Sequence, residues 1–163
     1  MATQTLAPAF QELLQGRYIA TLGTENADGT IYLNAVWYVF EGGQLFITTS
    51  ARSRKARNVA ARARASLMID VRKAGGERGV AAAGEAELIS GEESAAIGRR
   101  IHSRYLSAAA IADPQVGPVF ASFDDVTIRI TPGSWTTWDM AALDAQAFGG
   151  RLGRTPGYLL ALD

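Results

Sequence analysis

The chain has 163 residues, 48% of them hydrophobic, which is enough for one domain with a single core. Sixteen Lys and Arg balance sixteen Asp and Glu, and this zero net charge argues against a general nucleic-acid coat protein. The absence of cysteine excludes disulfides and thiolate chemistry, and one histidine, His102, excludes a multi-histidine metal site within the chain.

The N-terminal ten residues lack the basic and apolar regions of a signal peptide. No stretch of the chain reaches the roughly 18 apolar residues of a membrane span, so we expect a cytoplasmic protein. A short helix is predicted over Pro8–Gln15, because Pro8 suits a first helical turn and Phe10, Leu13 and Leu14 share one face.

Three strands are predicted next, over Arg17–Gly23, Thr30–Phe40 and Gln44–Thr49. The turn Asp28-Gly29 is a strong hairpin signal between the first two. Both faces of Thr30–Phe40 are largely apolar, which predicts cover on both sides. The barrel interior would cover one face, and a helix, a cofactor or a partner subunit the other.

The second half alternates short helices with strands. We predict a helix capped by Ser53 and, further on, one that runs from Ser90 to about Leu106, which would hold His102 as a structural or solvated residue. The remaining predicted elements are strands over Ala65–Val71 and Gly79–Ile89, a helix or turn from Asp113, and a last strand over Asp124–Trp138 kinked at Pro132-Gly133. Six strands joined early by hairpins predict a mainly β fold, an antiparallel barrel with accessory helices over residues 1–140, followed by an unassigned tail over 141–163.

The residues around Ser53 have the composition of a phosphate site. No acidic residue occurs from Gly42 to Ile69, whereas six basic ones do: Arg52, Arg54, Lys55, Arg57, Arg62 and Arg64. Arg54 and Lys55 fall in a first helical turn, where the helix dipole is already positive. Free N–H groups, cations and nearby hydroxyls favour a bound phosphate there, the hydroxyls being those of Thr48, Thr49, Ser50 and Ser53.

Two other interpretations of this basic stretch stay open. It could be a solvated helix face or a nucleic-acid patch. No Phe, Trp or Tyr occurs between Phe46 and Tyr105 to stack on bases, which disfavours the patch.

The aromatic residues are ambiguous at the level of sequence. Trp37 and Tyr38 could form a wall for a planar ring or pack in the core. Trp135 and Trp138 could be rim residues contributed across a dimer interface, or bulk that closes the barrel. No side chain stands out as a catalytic acid or base, and Tyr38, Arg78 and Trp135 are the candidate substrate-side groups.

The run LFITTSARSRKARNV at Leu45–Val59 resembles the pyridoxamine 5′-phosphate oxidase-like family of FMN-binding split β-barrels. In that family a strand ends in an aromatic-Thr-polar group and Ser-Arg-Lys opens the next helix. The surrounding order matches from residue 8 to 140, with RYIATL, DG, WYV, MID and GEAEL at their expected places.

The resemblance implies a six-stranded split barrel that works as a homodimer, with a phosphate-bearing cofactor at each subunit interface. Ser53, Arg54 and Lys55 would bind the phosphate, and Thr49 and Ser50, with Thr48 beside them, would lie near the ribityl chain. The remaining implied contacts are the backbone of Asn34, Ala35, Val36 and Trp37 along the ring system, and Trp135 at the rim.

Two elements of true pyridoxamine phosphate oxidases are missing from this chain. The sequence NAVWYV stands at 34–39 in place of Arg-x-Val-Leu-Leu-Lys, and no C-terminal Arg-x-His occurs. The resemblance therefore points away from vitamin B6 and towards a flavin or deazaflavin oxidoreductase that uses FMN or coenzyme F420 on a small organic substrate. A non-catalytic flavin store, sensor or carrier is the alternative.

Overall fold

The computed structural model describes residues 6–123 and 125–161. Its strands are β1 Ala20–Glu25, β2 Ile31–Val36, β3 Val39–Glu41, β4 Gln44–Thr49, β5 Arg64–Val71, β6 Arg78–Ser90 and β7 Val126–Asp139. Its helices are α1 Pro8–Gln15, α2 Arg54–Ala61, α3 Gly91–Tyr105, α4 Ala108–Ala112, α5 Gly117–Phe123, α6 Met140–Phe148 and α7 Arg151–Arg154.

The sheet has seven antiparallel strands in the order β2-β1-β5-β6-β7-β4-β3, so the expected count of six is wrong. The predicted long strand Thr30–Phe40 is broken at Trp37 and Tyr38 into β2 and β3, which become the two edges. Val36 and Val39 lie at most about 11 Å apart, because three residues of chain span no more. The sheet must therefore curl until its edges approach, as in a split barrel that stays open.

The other elements follow the sequence closely, with a few exceptions. The bounds predicted for α1 and β4 are confirmed, and α3 is confirmed within a residue at each end. Asp124, where the last strand was expected to begin, lies outside the described residues, and β7 begins at Val126. Residues 140–148 and 151–154 of the unassigned tail are helical, whereas Leu162 and Asp163 are outside the description.

A register shift lies where β6 meets the Pro132-Gly133 kink of β7. A Cβ on Gly84 would stand 2.0 Å from the carbonyl oxygen of Thr131, so only glycine allows the two strands this approach. The kink is therefore accommodated inside one continuous strand.

Two groups of apolar side chains hold the fold together. The barrel interior buries the larger group, whose fully buried members include Leu14, Leu22, Leu45, Ile69 and Ile128. A smaller group lies under α3 and consists of Val39, Phe46, Ile89, Ile97 and Ile101. Each such side chain contributes about 1.5–3 kcal/mol by leaving water. Within the described residues, no helix is long and apolar enough to cross a bilayer.

The outer face of β2 is exposed in the single chain. Ile31 and Leu33 are 62% and 64% exposed. Together with residues of β1, β5, β6 and β7 that include Met68 and Pro132, they line an apolar concavity of about 920 Å³. None of the described helices contributes a residue to the lining of this concavity.

Candidate functional site

The start of α2 has the predicted capped geometry. Ser53 Oγ accepts a hydrogen bond from the amide of Ala56 at 3.2 Å, and the Ser53 amide donates to the Ser50 carbonyl at 2.9 Å. Ser50 Oγ accepts from the Arg52 amide at 3.2 Å. No acidic residue lies in the first turn of α2. The hydroxyls of Ser50 and Ser53 thus lie at one helix N-terminus, where the macrodipole favours an anion.

Arg54 connects this helix start to β2. Its guanidinium carbon lies 5.1 Å from the centre of the Tyr32 ring, within cation–π range. Asp28, in the adjacent turn, accepts hydrogen bonds from the hydroxyl and amide of Thr30, which lower the pKa of its carboxyl; the charge of Arg54 adds a smaller effect in the same direction. Tyr32 was missed by sequence reasoning, because its partner lies 22 residues away on another element.

Asn34, two residues after Tyr32 on β2, has a side-chain oxygen that lacks a hydrogen-bond partner among the described residues. Tyr32, Asn34 and Val36 alternate with the exposed Ile31 and Leu33, so they share the other face of β2. Asn34 Oδ1 is buried and has no hydrogen-bond partner among the described residues. An unsatisfied buried acceptor costs about 1–3 kcal/mol, so a ligand that donates to it would recover that cost.

The hairpin between β1 and β2 is tied to α2 by two side chains. Asn58 Nδ2 donates to Thr24 Oγ1 at 3.1 Å and to Asn26 Oδ1 at 3.0 Å. Arg62 Nε lies 3.1 Å from a carboxylate oxygen of Glu25. These contacts fix the helix against the hairpin and thereby hold Arg54 beside β2.

An acid also reaches the loop before α2. One carboxylate oxygen of Asp125 accepts from the Ala51 amide at 2.6 Å. The stretch from Gly42 to Ile69, which has no acidic residue, could not predict this contact, because Asp125 is 74 residues from Ala51 in the chain. Its charge offsets part of the positive potential and fixes the loop backbone.

The other predicted site residues differ in their surroundings. Thr48 faces α3, where its Cγ2 would stand 3.4 Å from a Cβ on Gly98, and Thr49 is buried. Ala35 is exposed on the outer face of β2, whereas Val36 is buried. Lys55, beside Arg54, is half-buried and already has an interaction within the chain.

The aromatic candidates pack within the chain. Trp37 stacks on Tyr105, with ring centres 5.0 Å apart, and on Phe120 at 5.4 Å. Trp135 is half-buried against the barrel core and meets the Phe40 ring edge-on at 6.1 Å. For Trp37 the geometry favours core packing over a wall for a planar ring, and Trp135 packs as bulk against the barrel core.

The sequence analysis also named Tyr38, Arg78 and His102, whose surroundings are as follows. Tyr38 is fully buried, and its hydroxyl shares its single hydrogen between the carbonyls of Leu14 and Gly16, at 3.1 and 3.0 Å. Burial raises its pKa above the ordinary value, so Tyr38 is a structural group and not a substrate-side one. Arg78 is exposed at the start of β6. His102 is buried beside Phe120, as the structural interpretation predicted.

Solved structures similar to this chain share the barrel. The Mycobacterium tuberculosis protein Rv2991 is 25% identical, with a TM-score of 0.71, and the match covers 85% of this chain and 88% of that one. A protein described as an F420 reductase is 20% identical, with a TM-score of 0.63 and coverage of 80% and 98%. HutZ, described as a heme storage protein of Vibrio cholerae, is 15% identical, with a TM-score of 0.61 and coverage of 83% and 95%.

The sequence comparisons give one family. No protein with a curated description is similar enough in sequence to count as a relative. The family model for pyridoxamine 5′-phosphate oxidase matches residues 6–139, which is most of the chain and the whole of the barrel with α1. The chain therefore belongs to the pyridoxamine 5′-phosphate oxidase family.

Proposed function

We propose that this protein is an oxidoreductase that uses FMN or coenzyme F420 to transfer a hydride to or from a small organic substrate. One observation carries the proposal. The cationic start of α2 places Arg54 over Tyr32, two residues along the same strand face from the unsatisfied Oδ1 of Asn34. The anion-binding start of α2 and the orphaned acceptor thus adjoin the same face of β2.

The residues present fit a phosphate-bearing ring cofactor. Ser53, Arg54 and Lys55 would hold the phosphate, with Ser50 and Thr49 closest to them in the loop and at the end of β4. Asn34 would accept a hydrogen bond from a ring N–H or a ribityl hydroxyl. When bound, the ring supplies the hydride chemistry, and the protein contributes binding, orientation and exclusion of water.

We propose a homodimer in which a second copy covers the outer face of β2. Ile31 and Leu33, more than half exposed, lie in an apolar concavity of the kind that marks an interaction surface. A partner packed there would complete the cover that the sequence pattern predicts. It would also bring a second chain close to the strand that carries Asn34 on its other face.

A non-catalytic binder is the second candidate. A fold shared with a protein described as storing heme supports it, since this barrel also occurs in a storage protein. The loop that holds the candidate phosphate site would serve either role. A reduction assay of the loaded protein with NAD(P)H, or with reduced F420, and candidate substrates distinguishes an enzyme from a binder.

The first experiment identifies the small molecule that copurifies with the protein, by mass and visible absorbance. The second replaces Arg54 and Lys55 together with Ala. Two charge-assisted contacts of about 1.5–3 kcal/mol each would be lost, so FMN or F420 affinity should fall at least about 100-fold. The double variant Lys73→Ala, Arg151→Ala removes the same charge at exposed positions and should bind like wild type. Unchanged binding in the first variant refutes the site.

A further inference from the structure

We infer that Tyr105, at the end of α3, is a positioning residue that holds the break after β2 in place and thereby supports Asn34, the proposed cofactor contact on that strand. This inference rests on the proposed function, because it concerns the same site. Tyr105 belongs to no motif that the sequence singled out.

The segment it holds is the break between β2 and β3. Trp37 and Tyr38 belong to neither strand, so their backbone groups lack the ladder partners that fix a strand. The amide of Tyr38 donates instead to Tyr105 Oη, at 3.4 Å. The hydroxyl of Tyr105 in turn donates to the carbonyl of Tyr18 at 2.7 Å. One hydroxyl therefore links the break to the segment that leads into β1.

The ring of Tyr105 also packs against the break between β2 and β3. It stacks on Trp37 with an interplanar angle of 1°, and Phe120 stacks on Trp37 as well. The residue after Trp37 is fixed independently, since the buried Tyr38 hydroxyl is bonded to two carbonyls of the α1 end. These contacts fix both side chains of the break and one of its amides.

The consequence concerns the backbone just before the break. Asn34 lies three residues before Trp37, on a strand at the edge of the sheet. An edge strand has partners on one side only, so its last residues depend on what holds their end. A binding group acts well when its own support is rigid, and Tyr105 provides that support from α3.

The variant Tyr105→Phe separates the hydroxyl from the ring, because phenylalanine keeps the stacking on Trp37. We expect the dissociation constant for FMN, or for F420 if that is the cofactor found, to rise about three- to tenfold. In the protein without cofactor, hydrogen exchange of the Tyr38 amide should speed up relative to that of Leu22, which lies in the middle of β1.

The matched control is Ile101→Val, which trims a side chain in the apolar cluster under α3, against which Trp37 and Tyr105 pack, and leaves both hydrogen bonds of the Tyr105 hydroxyl in place. It should lower the melting temperature and leave cofactor affinity within about twofold. If Tyr105→Phe and Ile101→Val affect affinity and Tyr38 exchange alike, Tyr105 is only a packing residue and the inference is wrong. If wild type binds neither FMN nor F420, the proposed function fails and this inference fails with it.

Discussion

The two faces of β2 differ in chemistry and in what they lack. One face carries Ile31 and Leu33, which are apolar and exposed. The other carries Tyr32 and Asn34, which are polar; Tyr32 meets Arg54 of α2, and the buried Oδ1 of Asn34 has no partner in the part of the chain that the structure describes. The first face lacks apolar cover and the second lacks a hydrogen-bond donor.

This difference follows from the period of two along a strand, which sends neighbouring side chains to opposite sides. A single six-residue strand can therefore present one surface to a partner subunit and another to a cofactor. If both proposals hold, a substitution at Asn34 should affect the ligand alone, whereas one at Leu33 should affect assembly first and the ligand only through assembly.

The largest effect is expected from Leu33→Asp. A second copy packed on this face would bury the new carboxylate without a partner, and such a charge costs several kcal/mol. The dimer dissociation constant should rise at least about 1000-fold, because each 1.4 kcal/mol is tenfold. Sedimentation should then give one chain of 17.3 kDa where wild type gives two.

The control for this variant is Leu160→Asp, which places the same charge on a leucine that is 83% exposed in the tail. It should leave the dimer intact. Since the family resemblance implies a cofactor site between subunits, Leu33→Asp should also lose the cofactor. A wild-type protein that sediments as a monomer would contradict the proposed homodimer and the role given to this face of β2.

Asn34→Leu should act on the other face alone. It removes a buried acceptor that has no partner among the described residues, so the cofactor-free protein should be as stable as wild type or more stable. Cofactor affinity should fall about 5- to 150-fold, from the loss of about 1–3 kcal/mol. Thermal unfolding with and without FMN measures both quantities. Equal FMN affinity in the variant and wild type would show that Asn34 faces no ligand.

Tyr38, just beyond β2, provides the contrast of a buried polar group that is fully paired. Burial raises the pKa of its phenol in the folded state, so the folded protein retains a proton that the unfolded chain releases near its ordinary pKa of about 10. The stabilisation is therefore present below about pH 10 and is lost as the pH rises further, by up to about 1.4 kcal/mol per pH unit.

Tyr38→Phe tests this dependence. At neutral pH the variant should lose about 1–3 kcal/mol of unfolding free energy, because the Leu14 carbonyl loses its donor. Above pH 10 its unfolding free energy should fall less steeply than that of wild type, as urea titrations at several pH values would measure. Parallel pH profiles would mean that Tyr38 does not control alkaline stability.

The sequence predicted the parts of this molecule whose causes are local. The Ser53 cap, α1 and β4 follow from residues within one turn or one strand. The break at Trp37 was missed, because no Gly or Pro marks it and its causes are the curl of the sheet and contacts with α3. Helix α6 could have been found, since Asp139 caps it and Gly149 ends it in the left-handed region.

The candidate site likewise combines local features, which the sequence predicted, with contacts between distant residues, which it did not. The cations and hydroxyls of the α2 loop were visible as one run of sequence. The contacts of Arg54 with Tyr32, of Asn58 with Asn26 and of Asp125 with Ala51 join residues 22 to 74 positions apart. Such pairs arise only when the barrel brings its hairpins and helices together, and no single-sequence pattern encodes them.

The smallest effect is expected at Tyr32, whose ring face meets the Arg54 guanidinium. A cation–π contact at an exposed site is worth about 0.5–1 kcal/mol, so Tyr32→Leu should weaken cofactor binding about two- to fivefold. Tyr32→Phe keeps the ring and should bind within twofold of wild type. Fluorescence titration of FMN or F420 at low and high salt can resolve this difference. If both variants bind equally well, the Tyr32 ring does not orient Arg54 towards the cofactor.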